Sequence, residues 1–290
     1  TREAEASKLL YEHFQTRLKE AVAQQGIQQP DSRVLSQAVR PLFSSTPRKG
    51  LILAAAAILG AMLGAGLALL REASASGIRT SNELEALSGR VVLGQIPLLP
   101  AARRTKVIEH LATNPTSAIA EAVRNLRTSI LLSNVDRVPQ IIALTSSVPG
   151  EGKTMLSLAL AQNLTQMGKK VLLIEGDIRR RTFKRYFEAP HGHSLVSVLS
   201  GEASITDAAW PSESLGDIVF GEKSAVNAAD LFSSQAFPRL LDEARKLYDV
   251  ILIDTPPVLV VPDARIIAQH ADAVVFIVRW DNTSETQVRD

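Results

Sequence analysis

Residues 140–154 restrict the fold of this chain more than any other stretch: Gln-Ile-Ile-Ala-Leu-Thr-Ser-Ser-Val-Pro-Gly-Glu-Gly-Lys-Thr. The apolar, β-branched run at 141–144 predicts a buried strand. Ser146, Ser147, Pro149, Gly150 and Gly152 predict a tight turn, and 153–167 has helical periodicity. A strand, a glycine-rich turn and a helix opening on Gly-Lys-Thr form the layout of a phosphate-binding loop. Backbone N–H groups of the turn and helix start face the phosphates, Lys153 reaches their outer oxygens, and the Thr154 hydroxyl stands where Mg²⁺ needs an oxygen. Ser147, Pro149, Gly150, Glu151, Gly152, Lys153 and Thr154 are therefore the expected nucleotide contacts. Ser147 occupies the place of the first glycine in G-x-x-x-x-G-K-[ST], so the loop alone leaves room for a chance match.

Two acids downstream decide the matter. Residues 170–174 (Lys-Val-Leu-Leu-Ile) predict a second buried strand, running into Glu175-Gly176-Asp177-Ile178-Arg179-Arg180-Arg181. Residues 249–253 (Asp-Val-Ile-Leu-Ile) predict another, running into Asp254-Thr255-Pro256-Pro257. Four apolar residues and then an Asp is the Walker B arrangement, which places Asp254 to hold Mg²⁺ or its water shell. In an open parallel sheet ligands sit beyond the carboxyl ends of the strands, so Asp177 and Asp254 both face the nucleotide. Residues 274–278 predict a further strand and 216–220 a weaker one, separated by helices at 231–247 and 263–270. Such alternation predicts an α/β fold with a doubly wound parallel sheet. The histidines show no metal spacing beyond the close pair His191 and His193, and no Ser/His/Asp order stands out.

The rest of the chain places this domain. Residues 1–24 carry Leu10, Phe14 and Leu18 four apart, which fits an amphipathic helix, either part of a helical hairpin or coiled coil or a helix packed on its own domain. Gly26 and Pro30 are expected to close it, and Pro30, Pro41 and Pro47 mark an extended linker over 25–50. Residues 51–70 hold no charged side chain and span roughly 30 Å as a helix, the thickness of the bilayer hydrocarbon. A buried alanine-rich helix is the alternative. Gly60 and Gly64 permit a close helix contact. Arg40, Arg48 and Lys49 before the span slightly outnumber Arg71 and Arg79 after it, which on charge alone puts the N-terminal side in the cytoplasm. The downstream nucleotide site needs cytoplasmic ATP, and that outweighs a difference of one residue. Residues 90–99 predict an edge strand ended by Pro97. Arg103, Arg104 and Lys106 are either a headgroup contact or a solvated linker run. Residues 117–132 predict a helix whose polar side bears Glu121, Arg124 and Arg127. The chain has no cysteine, which excludes thiol chemistry, and its net charge of +2 gives no support for nucleic acid as a partner.

Four elements resemble the bacterial tyrosine kinases (BY-kinases) of polysaccharide co-polymerase proteins. The 146–154 loop is similar to that family's Walker A, which also lacks the first glycine. Asp177 and Arg179 match its second Walker motif, Asp-x-Asp-x-Arg, with Glu175 in place of the first Asp. Asp254-Thr255-Pro256-Pro257 matches its Walker B, and Glu121-x-x-Arg124-x-x-Arg127 its oligomerisation motif. The resemblance implies a P-loop NTPase-like kinase domain at 111–290, preceded by the end of an extracytoplasmic helical region and linker (1–50), one transmembrane helix (51–70) and a cytoplasmic connector (71–110). It implies ATP and Mg²⁺ as cofactors; catalytic Lys153, Asp177 and Asp254; and metal ligation by Thr154, Asp177 and Asp254, with Asp177 also taking the tyrosine proton. It further implies a homo-oligomeric ring through Glu121, Arg124 and Arg127, placement in a bacterial inner membrane, and work with the machinery that polymerises and exports polysaccharide. Two departures stand out: Glu175 lengthens a metal-proximal carboxylate by one methylene, and the family's C-terminal tyrosine cluster is absent, which suggests a truncated C-terminus. A partition-type ATPase would carry a signature lysine where this loop has Val148. A structural co-polymerase that no longer phosphorylates remains the other reading.

Overall fold

The computed structural model describes residues 2–27, 36, 46–74, 77–99, 106–133, 137–188, 192–224 and 226–290. Pro30, Pro41, Arg40, Arg103, Arg104 and His191 lie outside these described residues. The chain divides into two compact units, residues 1–68 and 69–290.

In the first unit, helix α1 (Arg2–Ile27) forms where the four-residue spacing predicts it and runs on through Gly26. Leu10, Phe14 and Leu18 are exposed along it. Helix α2 (Lys49–Ser74) begins in this unit. Within its 24-residue segment Lys49–Glu72, the most apolar 18 residues have a mean hydropathy of 2.3 and none of them is buried. Among the described residues it alone is long and apolar enough to cross a membrane.

The second unit is built on a six-stranded sheet: β1 (Ile141–Ser146), β2 (Val171–Glu175), β3 (Trp210–Ser212), β4 (Gly216–Val219), β5 (Val250–Asp254) and β6 (Ala273–Ile277), in the order β3-β4-β2-β5-β1-β6. All neighbours pair in parallel except β3, which runs antiparallel to β4. Every residue of β1, β2 and β5 is buried, as strands covered on both faces require. Side chains alternate between those faces. Ile142 and Leu144 of β1 join the core beneath α4 (Val107–Thr113), α5 (Ala118–Leu131) and α6 (Lys153–Thr165). Ile141 and Ala143 join the opposite core, covered by α7 (Leu195–Leu199), α8 (Ile205–Ala208), α9 (Ala228–Ser233), α10 (Ala236–Leu247) and α11 (Asp263–Ala268). The sheet is thus doubly wound. Helix α5 is capped by the Ser117 hydroxyl, which accepts from the Ala120 N–H, and buries Ile119, Val123, Leu126 and Ile130.

Three expectations are corrected. Residues 90–99 form no strand. Leu93, Ile96 and Leu99 pack on the α5 side of the core, and the Val92 N–H donates to Glu85 Oε1 at 2.7 Å, in the helix α3 (Ser81–Ser88). Their apolar residues are taken up by a helix face rather than a sheet edge. The single helix expected over 231–247 is two, α9 and α10, because Ser234 is extended. That break turns both Phe232 and Phe237 inward, edge to face at 5.1 Å. Finally β3 was not expected; at three residues with a central Pro211 it has too little pattern to read, and its proline is tolerated on the outermost strand.

Candidate functional site

The parallel register brings the sequence motifs together at the carboxyl ends of three adjacent strands. Leu144 of β1 and Glu175 of β2 both lie opposite Asp254 of β5. From β1 the chain turns at Gly150 (φ 89°) and Gly152 (φ 98°), left-handed conformations that suit glycine, and Gly152 caps α6. The helix N-terminus thereby points at the space over the strand ends, where its free N–H groups suit an anion.

Within this space Thr154 Oγ1 donates to Asp254 Oδ2 at 2.6 Å, and Ser157 Oγ lies 3.3 Å from Asp254 Oδ1. Asp254 is 1% exposed. Burial pushes its carboxyl up to about 7, against the pull of Thr154 and Lys153. The Lys153 ammonium, also buried, donates to Ser146 Oγ at 2.9 Å. Burial lowers its pKa, while Asp254, Asp177 and Glu151 work the other way. Asp177 is held in place by its backbone: the Gly176 and Asp177 N–H groups donate to the Asp254 carbonyl at 2.8 and 3.1 Å, and Asp177 Oδ1 accepts from the Arg180 N–H at 3.0 Å.

These residues fit a magnesium nucleotide. A hydroxyl and a carboxylate share one spot, a second carboxylate is tethered beside it, and Asp254 is buried with no Lys or Arg bonded to it among the described residues. Among the described residues no cluster of three or more acids, cysteines or histidines could hold a metal unaided. Mg²⁺ binds through one or two protein oxygens and takes the rest from phosphate and water.

Glu175, at the end of β2, binds backbone with both oxygens. Its Oε1 accepts from the Phe183 N–H at 2.7 Å and its Oε2 from the Gly221 N–H at 3.0 Å. The carboxylate thus ties the backbone of two loops at the strand end that lies opposite Asp254. Burial raises its pKa to about 7, partly offset by those two N–H groups. Ser147 sends its hydroxyl to the Gln287 carbonyl at 2.6 Å, and Glu151 turns inward to accept from the Val148 N–H at 2.8 Å and from the Thr283 hydroxyl. Pro149 and Gly150 complete the turn.

Four partners escaped the sequence reading. Ser157 lies one helical turn after Lys153, so the i+4 spacing carried the signal. Arg179 binds Asp263 at 2.9 Å and Asn227 at 3.0 Å, and Glu151 meets Thr283; no spacing in the sequence announces pairs so far apart. On α5, Arg124 Nη1 binds Glu121 Oε1 at 2.8 Å and Arg127 Nη1 binds Asn163 Oδ1 at 2.6 Å, so the expected ring-forming residues have partners within the chain.

A phosphate loop heading a doubly wound sheet, with acids at two neighbouring strand ends, defines a P-loop nucleotide-binding domain. The family model described as "AAA domain" matches residues 139–287, and one described as "G-rich domain on putative tyrosine kinase" matches residues 1–73. The tyrosine-protein kinase YwqD of Bacillus subtilis is 37% identical over 176 residues, 60% of this chain and 74% of that protein. The succinoglycan biosynthesis transport protein ExoP of Rhizobium meliloti is 29% identical over 322 residues, 99% of this chain and 40% of that protein. The kinase domain of the Escherichia coli tyrosine kinase ETK superposes with a TM-score of 0.65 at 25% identity, over 73% of this chain and 86% of that domain. The chain belongs to the bacterial tyrosine kinase (BY-kinase) family of exopolysaccharide biosynthesis. It spans 36–42% of the length of its longer curated relatives.

Proposed function

We propose that this chain is the membrane-anchored kinase part of a protein-tyrosine autokinase that regulates polymerisation and export of an exopolysaccharide. The observation that carries the reading is the bond between Thr154 and Asp254, set beside buried Lys153 and tethered Asp177 at one sheet end. The loop amides and Lys153 hold the β- and γ-phosphates of ATP. Thr154, Asp254 and Asp177, directly or through water, hold Mg²⁺, which neutralises phosphate charge when bound. Asp177 takes the proton from the acceptor phenol. The tyrosine oxygen bonds to the γ-phosphorus as the bond to the β–γ bridging oxygen breaks, and ADP leaves. Positioning and charge neutralisation supply the rate.

In this reading residues 1–50 lie outside the cytoplasm, 51–70 cross the inner membrane, and the connector at 71–110 leads to the cytoplasmic kinase at 111–290. Glu121, Arg124 and Arg127 would join copies into a ring and present tails to neighbours. The bonds they already make would have to exchange for bonds across the interface. The test is incubation of the detergent-solubilised full chain with labelled ATP, Mg²⁺ and two added acceptors, a random Glu–Tyr copolymer and a neutral Ser-Gly-Tyr peptide. Phosphotyrosine on either, lost in Asp177→Asn, supports the kinase. Bound nucleotide with no phosphotyrosine on either would sink it in favour of a structural co-polymerase.

A further inference from the structure

Directly after Asp177 the chain carries Arg179, Arg180, Arg181, Lys184 and Arg185, against the single acid Glu188 within residues 178–188. Arg179 is committed to Asp263 and Asn227. Arg180, Arg181, Lys184 and Arg185 have no ion-pair partner among the described residues.

This basic turn is rigidly built. Asp177 caps it twice, Oδ1 accepting from the Arg180 N–H at 3.0 Å and its carbonyl from the Arg181 N–H at 2.9 Å. The 3₁₀ turn Thr182–Arg185 is nailed down by Phe183, which is fully buried, gives its N–H to Glu175 and sets its ring edge-on to Phe220 at 6.2 Å. Lys184, Arg185 and Arg180 stand exposed around that anchor. Arg181 is left-handed at φ 49°, a conformation that costs a residue with a Cβ about 1 kcal/mol. Its Nε is buried and has no partner. The cluster also adjoins the site, since Asp177 itself caps the turn.

We propose that the 180–185 turn docks the acidic segment that flanks an acceptor tyrosine, so that the preferred substrates are tyrosines with Asp or Glu neighbours. This rests on the kinase reading above. The phosphates of ATP are already served by Lys153 and the loop amides, which leaves this second set of cations for a second anion. Continuity with Asp177 favours a peptide over a lipid surface, because the acceptor must enter beside that residue, and bilayer headgroups at the turn would crowd its path. Paired exposed charges steer and select partners by complementarity, and the effect weakens with salt.

The test compares the full chain with Lys184→Glu/Arg185→Glu, both positions lying outside the catalytic groups. The expected result is a rise of about 10-fold in KM for the Glu–Tyr copolymer at low salt, with KM for the neutral Ser-Gly-Tyr peptide and for ATP unchanged. The wild-type preference for the copolymer should shrink as salt rises. Lys184→Gln/Arg185→Gln should give a smaller shift in the same direction. An unchanged preference in the reversed variant overturns the proposal, as does an equal loss on both acceptors. A shift seen only in phosphatidylglycerol bilayers and not in neutral detergent would make the turn a lipid contact and overturn it too. Failure of the kinase reading is separately visible, since the wild type would then label neither acceptor.

Discussion

Asp272 offers a stability prediction whose size and pH dependence both follow from geometry. It sits between α11 and β6, where its Oδ1 accepts from Arg245 Nη2 at 2.7 Å. Its Oδ2 accepts from Arg245 Nη1 at 2.8 Å, the Ile141 N–H at 2.7 Å and the Gln140 N–H at 3.0 Å. One carboxylate therefore fastens the start of β1, the end of α10 and the start of β6. Burial by itself would raise its pKa, but the guanidinium and the two backbone donors override it and hold the carboxyl at about 2, against an ordinary 3.8. A depressed acid stabilises the fold above its unfolded pKa, and that stability is lost as pH falls through the folded value. The difference is worth roughly 2 kcal/mol at neutral pH, and the carboxylate is shielded enough for most of it to survive solvent screening. Asp272→Asn keeps the shape but removes the charge and turns an N–H donor toward other donors. In urea titrations of the full chain in detergent, the variant should be less stable than wild type by about 2 kcal/mol at neutral pH. The gap should close as pH drops from about 4 toward 2, where the wild-type carboxylate also protonates. KM for ATP should not move while the protein is folded, because Asp272 lies at the amino end of β1 and the phosphate loop at its carboxyl end. A gap that persists unchanged at low pH would refute the assignment of this stability to the ionised carboxylate.

Lys153→Met should cut phosphotyrosine formation by about 100-fold or more, as loss of a preorganised cation does. The thermal midpoint of the nucleotide-free protein should not fall, since the substitution removes a charge that burial disfavours. Gly216→Ala should destabilise by more than about 2 kcal/mol, measurable as a lower thermal midpoint. Its Cβ would run into the Val171 carbonyl oxygen from a left-handed φ of 78°. Glu175→Ala leaves the buried Phe183 and Gly221 N–H groups without acceptors and should cost about 2–4 kcal/mol in the same measurement. The Mg²⁺ concentration for half-maximal labelling should stay as in wild type; a large increase would return Glu175 to the metal.

The parts of this molecule that could be read from sequence are those whose physics is local. Ile141 and Leu144 announce a strand because a strand covered on both faces needs every residue apolar, and Gly152 announces the helix start through its turn. The order of acids after strands carried Asp177 and Asp254 to the same sheet end, because a parallel register aligns strand ends. What stayed hidden depends on long-range placement. The apolar residues of 90–99 are equally suited to a sheet edge or a helix face, and only the position of Leu126 beside Gly94 decides between them. Ser234 interrupts a helical pattern that its neighbours continue. Glu175 reads as a conservative exchange for Asp, yet its oxygens accept from two backbone amides whose positions no local pattern reveals.

The phosphate loop is held from outside the sheet as well as by it. Glu151, buried in the turn, accepts from the Val148 N–H on one oxygen and from the Thr283 hydroxyl on the other, while Ser147 gives its proton to the Gln287 carbonyl. The segment that supplies these partners also pairs with the stretch that follows α2. The Ile78 N–H donates to the Thr283 carbonyl at 3.0 Å, the Asp281 N–H to the Ile78 carbonyl at 2.9 Å, and Arg79 binds Asp281 at 2.6 Å. Thr283 therefore bonds the loop through its hydroxyl and residue 78 through its carbonyl. A loop that stabilises phosphate charge works through amides fixed before the nucleotide arrives. Here that fixing uses Glu151 and Ser147, and Thr283, the partner of Glu151, is itself braced by residue 78. Displacing residues 78 and 79 would withdraw support from Thr283 and Asp281 together, and with it from the one side chain that holds the Val148 amide in the turn.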